Sequence, residues 1–115
     1  MTDGKLIDLD KDQLRLVKKI IKQHIPGKKV WVYGSRVTGD AQETSDLDLV
    51  VFGCDPTEIY NLKEALSESD ILVSVDIMDW ESIPEDFKEN IKKGYVVLQD
   101  EIDLFPEIIA VSKES

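Results

Sequence analysis

A chain of 115 residues is the size of one domain, large enough to bury a core and near the lower end for a layered α/β enzyme. Its formal charge of −10 makes it a poor holder of nucleic acid, because binding to phosphate backbones is dominated by Lys and Arg. Hydrophobic residues are 42% of the chain, which argues against disorder, and no run approaches the ~20 apolar residues of a membrane span. The first residues also lack the apolar stretch of a signal peptide, so a cytoplasmic protein is expected.

The predicted elements alternate. Asp10 with Gln13 reads as a capping box, with Leu9 and Leu14 as its hydrophobic staple. Leu14, Val17, Ile20, Ile21 and Ile25 then mark one face of a helix that Pro26-Gly27 ends. Val30 to Tyr33 reads as a strand, followed by a sharp turn and short helix at Gly34-Ser35, and Asp46 to Phe52 as a second strand. Asp55-Pro-Thr-Glu58 opens another helix, with Ile59, Leu62, Ala65 and Leu66 as its apolar stripe and an end near Ser69. A strand over Leu72 to Asp79 follows, then a helix from Ser82-Ile-Pro-Glu85 whose Ile83, Phe87 and Ile91 face inward and which Gly94 terminates. Tyr95 to Leu98 is either a short extended piece or that helix's exit. This order predicts an α/β fold with a mixed β-sheet and helices packed mainly on one face, since the first two strands are joined by only about a dozen residues. A single domain over residues 1–99 is expected. Residues 100–115 form an acidic segment carrying Ile102, Leu104, Phe105, Ile108, Ile109 and Val111, which either packs back on the domain or docks on a partner.

The chemistry concentrates between Gly34 and Leu49. Asp46 and Asp48 are two apart on a strand, so their side chains leave the same face. Like charges so close raise one another's pKa unless a cation lies between them, and magnesium is the oxygen-seeking ion suited to that place. A third acid is expected from a neighbouring strand; Asp76, between β-branched apolar residues, is the first candidate and Asp79, at the strand's end, the second. Three carboxylates can clamp two ions about 3.5–4 Å apart, the arrangement that stabilises both oxygens of an in-line displacement. The turn before them supplies a phosphate site: Gly34 permits close backbone approach, Ser35 offers its hydroxyl and N–H, Arg36 a nearby cation, and Gly39 turns the chain back toward Asp46.

Gly34-Ser35 followed by Ser45-Asp46-Leu47-Asp48 resembles the signature of the polymerase-β-type nucleotidyltransferase superfamily, and the short chain resembles its minimal nucleotidyltransferases, commonly paired with a small helical HEPN protein. The resemblance covers nearly all of residues 10–99. It implies that Asp46, Asp48 and Asp76 are catalytic acids binding Mg²⁺, two ions with Mn²⁺ as an alternative, and that Gly34 and Ser35 hold the nucleotide phosphates; Arg36 and Ser45 are expected beside them. It also implies transfer of AMP from ATP to a hydroxyl, with a tyrosine of a HEPN toxin as acceptor and silencing of that toxin as outcome. Neutralisation by contact alone, and transfer to a small molecule or RNA end, are the alternatives. With no room for a second domain, a partner is expected to complete the site or be its substrate.

Other residues invite blander readings. Cys54, the single cysteine, reads as a structural thiol, and His24 as a helix C-terminal residue favoured by the dipole. Trp31 and Trp80 read as core or rim aromatics, with adenine stacking as the alternative; Tyr33 and Tyr95 are weak candidates for self-modification. Charge is uneven: residues 1–40 carry nine Lys or Arg against five acids, the rest five against nineteen. Arg15, Lys18, Lys19, Lys22, Lys28 and Lys29 read as the solvated face of a helix.

Overall fold

The computed structural model describes residues 7–42 and 44–100. The C-terminal segment singled out above lies, beyond Asp100, outside the described residues. Helix α1 (Lys11–His24) is followed by β1 (Val30–Tyr33), the one-turn α2 (Ser35–Thr38) and β2 (Leu47–Val51). Then come α3 (Pro56–Ser67), β3 (Val75–Asp79), a 3₁₀ turn (Trp80–Ser82), α4 (Glu85–Lys92) and β4 (Tyr95–Gln99). The four strands form one mixed sheet in the order β3-β2-β1-β4. β1 is antiparallel to β2 and β4, and β2 is parallel to β3, joined through the crossover helix α3.

Tyr95–Leu98, left open between strand and helix exit, is strand. The β1–β4 register shifts between Val30 and Trp31, where Val30 meets Gln99 but Trp31 meets Val97. Leu98 and Gln99 are consequently both buried. The Gln99 amide satisfies two loop carbonyls that precede β1, donating to Ile25 O at 2.9 Å and Lys28 O at 2.7 Å.

Period-two alternation sorts the strand residues onto two faces. Val30, Val32, Leu47, Leu49, Val51 and Ile77 pack with Val17, Ile21 and Leu14 of α1 and Leu62 and Leu66 of α3. Tyr33 and Val50 lie on the other face with Trp31, Met78, Ile83, Phe87 and Ile91, under α4. Two helices, α1 and α3, thus cover one face and a single short helix part of the other.

Short polar side chains cap the starts of α1 and α3. Asp10 accepts from the N–H groups of Asp12 and Gln13, but the box does not close: Gln13 Oε1 instead accepts from Leu72 N at 2.7 Å, tying α1 to the segment before β3. Asp55 and Glu58 form the complete reciprocal box on α3, with bonds of 2.8 and 2.9 Å and Pro56 at the first helical position. The helix expected from Ser82 starts later, at Glu85, because the 3₁₀ turn intervenes. Among the described residues no helix is long and apolar enough to cross a membrane.

Candidate active site

The β2–β3 register sets Asp48 directly beside Asp76, and the β1–β2 register sets Asp48 opposite Tyr33. Asp48 and Asp76 therefore leave the α4 side of the sheet side by side, on parallel strands ~4.8 Å apart. Asp46 stands one residue before β2 and is exposed. It remains near enough to act on Asp48, whose pKa is pushed above its ordinary value by burial, then by Asp76, then by Asp46. The Tyr33 hydroxyl, mostly buried and facing both charges of Asp48 and Asp76, is pushed up to about 12 and stays protonated. Asp79, the second-choice acid, is occupied otherwise: its carboxylate caps the 3₁₀ turn, accepting from Glu81 N at 3.2 Å and the Ser82 hydroxyl at 3.1 Å.

Gly34 joins the acids to the turn that opens α2. Its φ of +86° is left-handed backbone, and a Cβ built there would collide with Asp48 Oδ2 and lie 3.3 Å from Asp48 Cγ. Only glycine lets β1 turn into α2 directly against that carboxylate. Ser35 begins α2, at the end where a helix's leading N–H groups have no intrahelical partner. Among the described residues the Ser35 hydroxyl donates to nothing and accepts from nothing.

Two residues expected at the phosphate site make other contacts in the structure. The Arg36 side chain is buried and directed into the loop that leads to β2. It donates to Asp8 O at 2.6 Å, to Ser45 O at 2.9 and 3.2 Å, and to Gln42 O at 3.3 Å. A guanidinium committed to backbone carbonyls holds the loop that delivers Asp46 and does not face the cleft. The Ser45 hydroxyl likewise accepts from Gln42 N at 2.8 Å, closing a turn of that loop.

A cleft of about 560 Å³ opens beside Asp48 and Asp76, within the ~300–1,000 Å³ typical of small-molecule sites. Gly34 and Thr38 border it on one side; Phe87, Asn90, Lys93 and Gly94, from α4 and its exit, border it on the other. Spacing marked Phe87 as inward-facing and Gly94 as a helix end, but only the fold brings this second wall to the acids. Trp31 and Trp80 do not line it. They belong to an aromatic cluster in which Trp31 stacks on Tyr95 at 3.8 Å and Phe52 on Trp80 at 4.8 Å, with Lys29 Nζ 4.5 Å from the Phe52 ring centre. The basic group splits in the same way: Lys18, Lys19 and Lys22 are exposed on α1, as read, whereas Lys28 donates to Gly53 O at 2.7 Å. Cys54 is buried, its thiol pushed up to about 11 by burial and Glu58.

Among the described residues no three His, Cys, Asp or Glu side chains already surround a common point at ligand distance. The donor chemistry nevertheless fits a hard divalent cation. Asp48 and Asp76 offer adjacent carboxylate oxygens, Asp46 a third nearby, and none of the three is paired with Lys or Arg among the described residues.

A family model described as polymerase beta, nucleotidyltransferase, matches residues 15–103. The chain is 44% identical over 103 residues, 87% of its length and 90% of the relative's, to a protein of Haemophilus influenzae named as a probable protein adenylyltransferase, MntA. A solved structure of a candidate minimal nucleotidyltransferase aligns with a TM-score of 0.61 at 29% identity, covering 76% of this chain and 95% of the other. The fold also matches a chain from the Shewanella oneidensis complex of a tri-AMPylated HEPN toxin with its MNT antitoxin, at a TM-score of 0.60 and 16% identity, with 92% of this chain and 89% of the other covered. With the family model spanning most of its length and its two strand acids in register beside a glycine turn, this chain belongs to the polymerase-β-type nucleotidyltransferase family.

Proposed function

We propose that this protein transfers AMP from ATP to a hydroxyl, that of a tyrosine of a small helical HEPN toxin in the cytoplasm, and so acts as the toxin's antitoxin. The observation that carries the reading is the packing of Gly34 against Asp48, with Asp76 alongside, which puts a phosphate turn and a pair of acids into one cleft. The close relative named as a protein adenylyltransferase supports the choice of AMP and of a protein acceptor. The HEPN complex of similar fold supports the choice of partner.

In this reading Gly34 and Ser35 hold the β- and γ-phosphates through backbone N–H groups and the serine hydroxyl. Asp46, Asp48 and Asp76 would hold magnesium, two ions or manganese in their place, which supplies charge neutralisation at the phosphates and the attacking oxygen. The acceptor hydroxyl attacks the α-phosphorus, its proton passes to Asp76, and the bond to the bridging oxygen of the β-phosphate breaks to release pyrophosphate. Positioning and electrostatics carry most of the rate in such a displacement. Tyr33 stands opposite Asp48 at the base of this site, its hydroxyl pushed up to about 12 by burial and by the charges of Asp48 and Asp76.

Intact mass of the partner toxin after incubation with this chain, ATP and Mg²⁺ tests the reading, beside an Asp46→Asn, Asp48→Asn control. A gain of one or more AMP units, absent in the control, is the expected result. An unmodified toxin in a stable complex would overturn transfer in favour of neutralisation by contact.

A further inference from the structure

The nucleotide cleft has a second wall that the family signature does not describe. Its residues come from α4 and the turn into β4, and Lys93 is the one Lys or Arg among the described residues that line the cleft. Arg36, the cation nearest to the phosphate turn in sequence, is held in the 40–45 loop on the carbonyls of Asp8, Gln42 and Ser45. The opposing wall carries Asp48 and Asp76, and the final turn of α4 adds the partial negative charge of a helix C-terminus. A triphosphate entering this cleft therefore meets negative charge from both walls.

Lys93 is exposed, whereas its neighbours on α4 have carboxylate partners: Lys88 lies 3.4 Å from Glu85 and Lys92 3.9 Å from Glu89. No carboxylate pairs with Lys93 among the described residues. Tyr33, Met78, Phe87 and Ile91 line the same cleft with largely apolar surface, and Asn90 brings an amide to it. Aromatic and aliphatic surface with one amide suits a nucleoside, and an ammonium on a flexible stem suits phosphate oxygens as a point charge.

Building on the nucleotidyltransferase reading, we infer that Lys93 is a nucleotide-binding residue, the protein's own cation for the triphosphate, in the role the sequence pattern would assign to Arg36. It discriminates ATP from AMP, because its charge matters most where the β- and γ-phosphates add theirs. Asn90 and the apolar surface of Phe87 and Ile91 contact the nucleoside, which both ligands share.

Calorimetric titration of the full chain with ATP and with AMP, each with Mg²⁺, tests this on the unaltered protein, Lys93→Met and Lys93→Arg. Loss of a charge-assisted contact is expected to weaken ATP binding about tenfold in Lys93→Met, with AMP changed less than about twofold and Lys93→Arg near the unaltered value. Equal ATP affinity in Lys93→Met, or an equal loss for ATP and AMP, would overturn the assignment. Failure of the unaltered chain to bind either nucleotide would overturn the nucleotide site itself, a result distinct from a silent Lys93. Thermal melts of both variants establish that the fold is intact, since an exposed lysine contributes little to stability.

Discussion

The two faces of the sheet are made by the same strands and differ in almost everything else. On one, Leu47, Leu49 and Val51 alternate into an aliphatic core sealed by α1 and α3. On the other, Asp48 and Val50 of the same strand share a surface with Tyr33, Trp31 and Met78 that α4 only partly covers. One face is a packing problem already solved. The other leaves uncompensated charge beside an open cleft, and such charge is what a ligand can relieve. Stability and chemistry are thus assigned to opposite sides of strands one residue out of phase.

Substitutions on the closed face are expected to have the largest effect on folding. Leu49→Ala removes a fully buried side chain and is expected to lower unfolding free energy by about 2–5 kcal/mol, measured by urea denaturation. A cost under about 1 kcal/mol would break the contrast. At the seam between the faces, Gly34→Ala is expected to cost about 1–3 kcal/mol, because the backbone is left-handed and the new methyl meets the Asp48 carboxylate. ATP binding is expected to fall with it, which a core substitution of equal cost would not produce at temperatures where both variants are folded.

On the open face the sign reverses. The pKa of Asp48 is raised in the folded state, so the folded protein binds that proton more tightly than the unfolded chain does. The stability this contributes is complete below the ordinary value of 3.8 and is lost as pH rises through the folded pKa. Asp48→Asn is therefore expected to melt higher than the unaltered chain at neutral pH without added metal. That advantage shrinks as pH falls toward 3.8, while the variant transfers no AMP. A variant that melts lower at neutral pH would show Asp48 to be structural.

The smallest expected effect concerns Cys54, on the closed side. With its thiol pushed up to about 11, alkylation by iodoacetamide at pH 8 is expected to be far slower in the folded chain than in urea. The raised thiol pKa also implies that stability declines once pH passes the ordinary value of 9.0, where the unfolded chain loses the proton first. Rapid labelling of the folded protein would place the thiol at the surface.

Much of this was legible in the residues themselves. The i, i+2 spacing of Asp46 and Asp48 predicted a shared strand face, but Asp46 falls one residue before β2; Asp76 could be preferred to Asp79 because its neighbours Val75 and Ile77 alternate with it into the core. The capping box at Asp55 and the glycine turn are local, and local chemistry decided them. Arg36 could not be placed by the same reasoning. Its position depends on carbonyls at Asp8, 28 residues away, and on how the loop to β2 returns. Tyr95–Leu98 was ambiguous because a short apolar run has no periodicity to choose strand over helix; pairing with β1 chose it.

The sequence by itself determined the alternating elements, the faces of the strands and the pair of acids, because each follows from dihedral preferences and side-chain period within a few residues. Only the tertiary structure decided the parallel register that sets Asp48 beside Asp76, the burial of Arg36 and the arrival of Lys93 at the cleft. Those depend on distances between segments far apart in the chain, which no local spacing encodes.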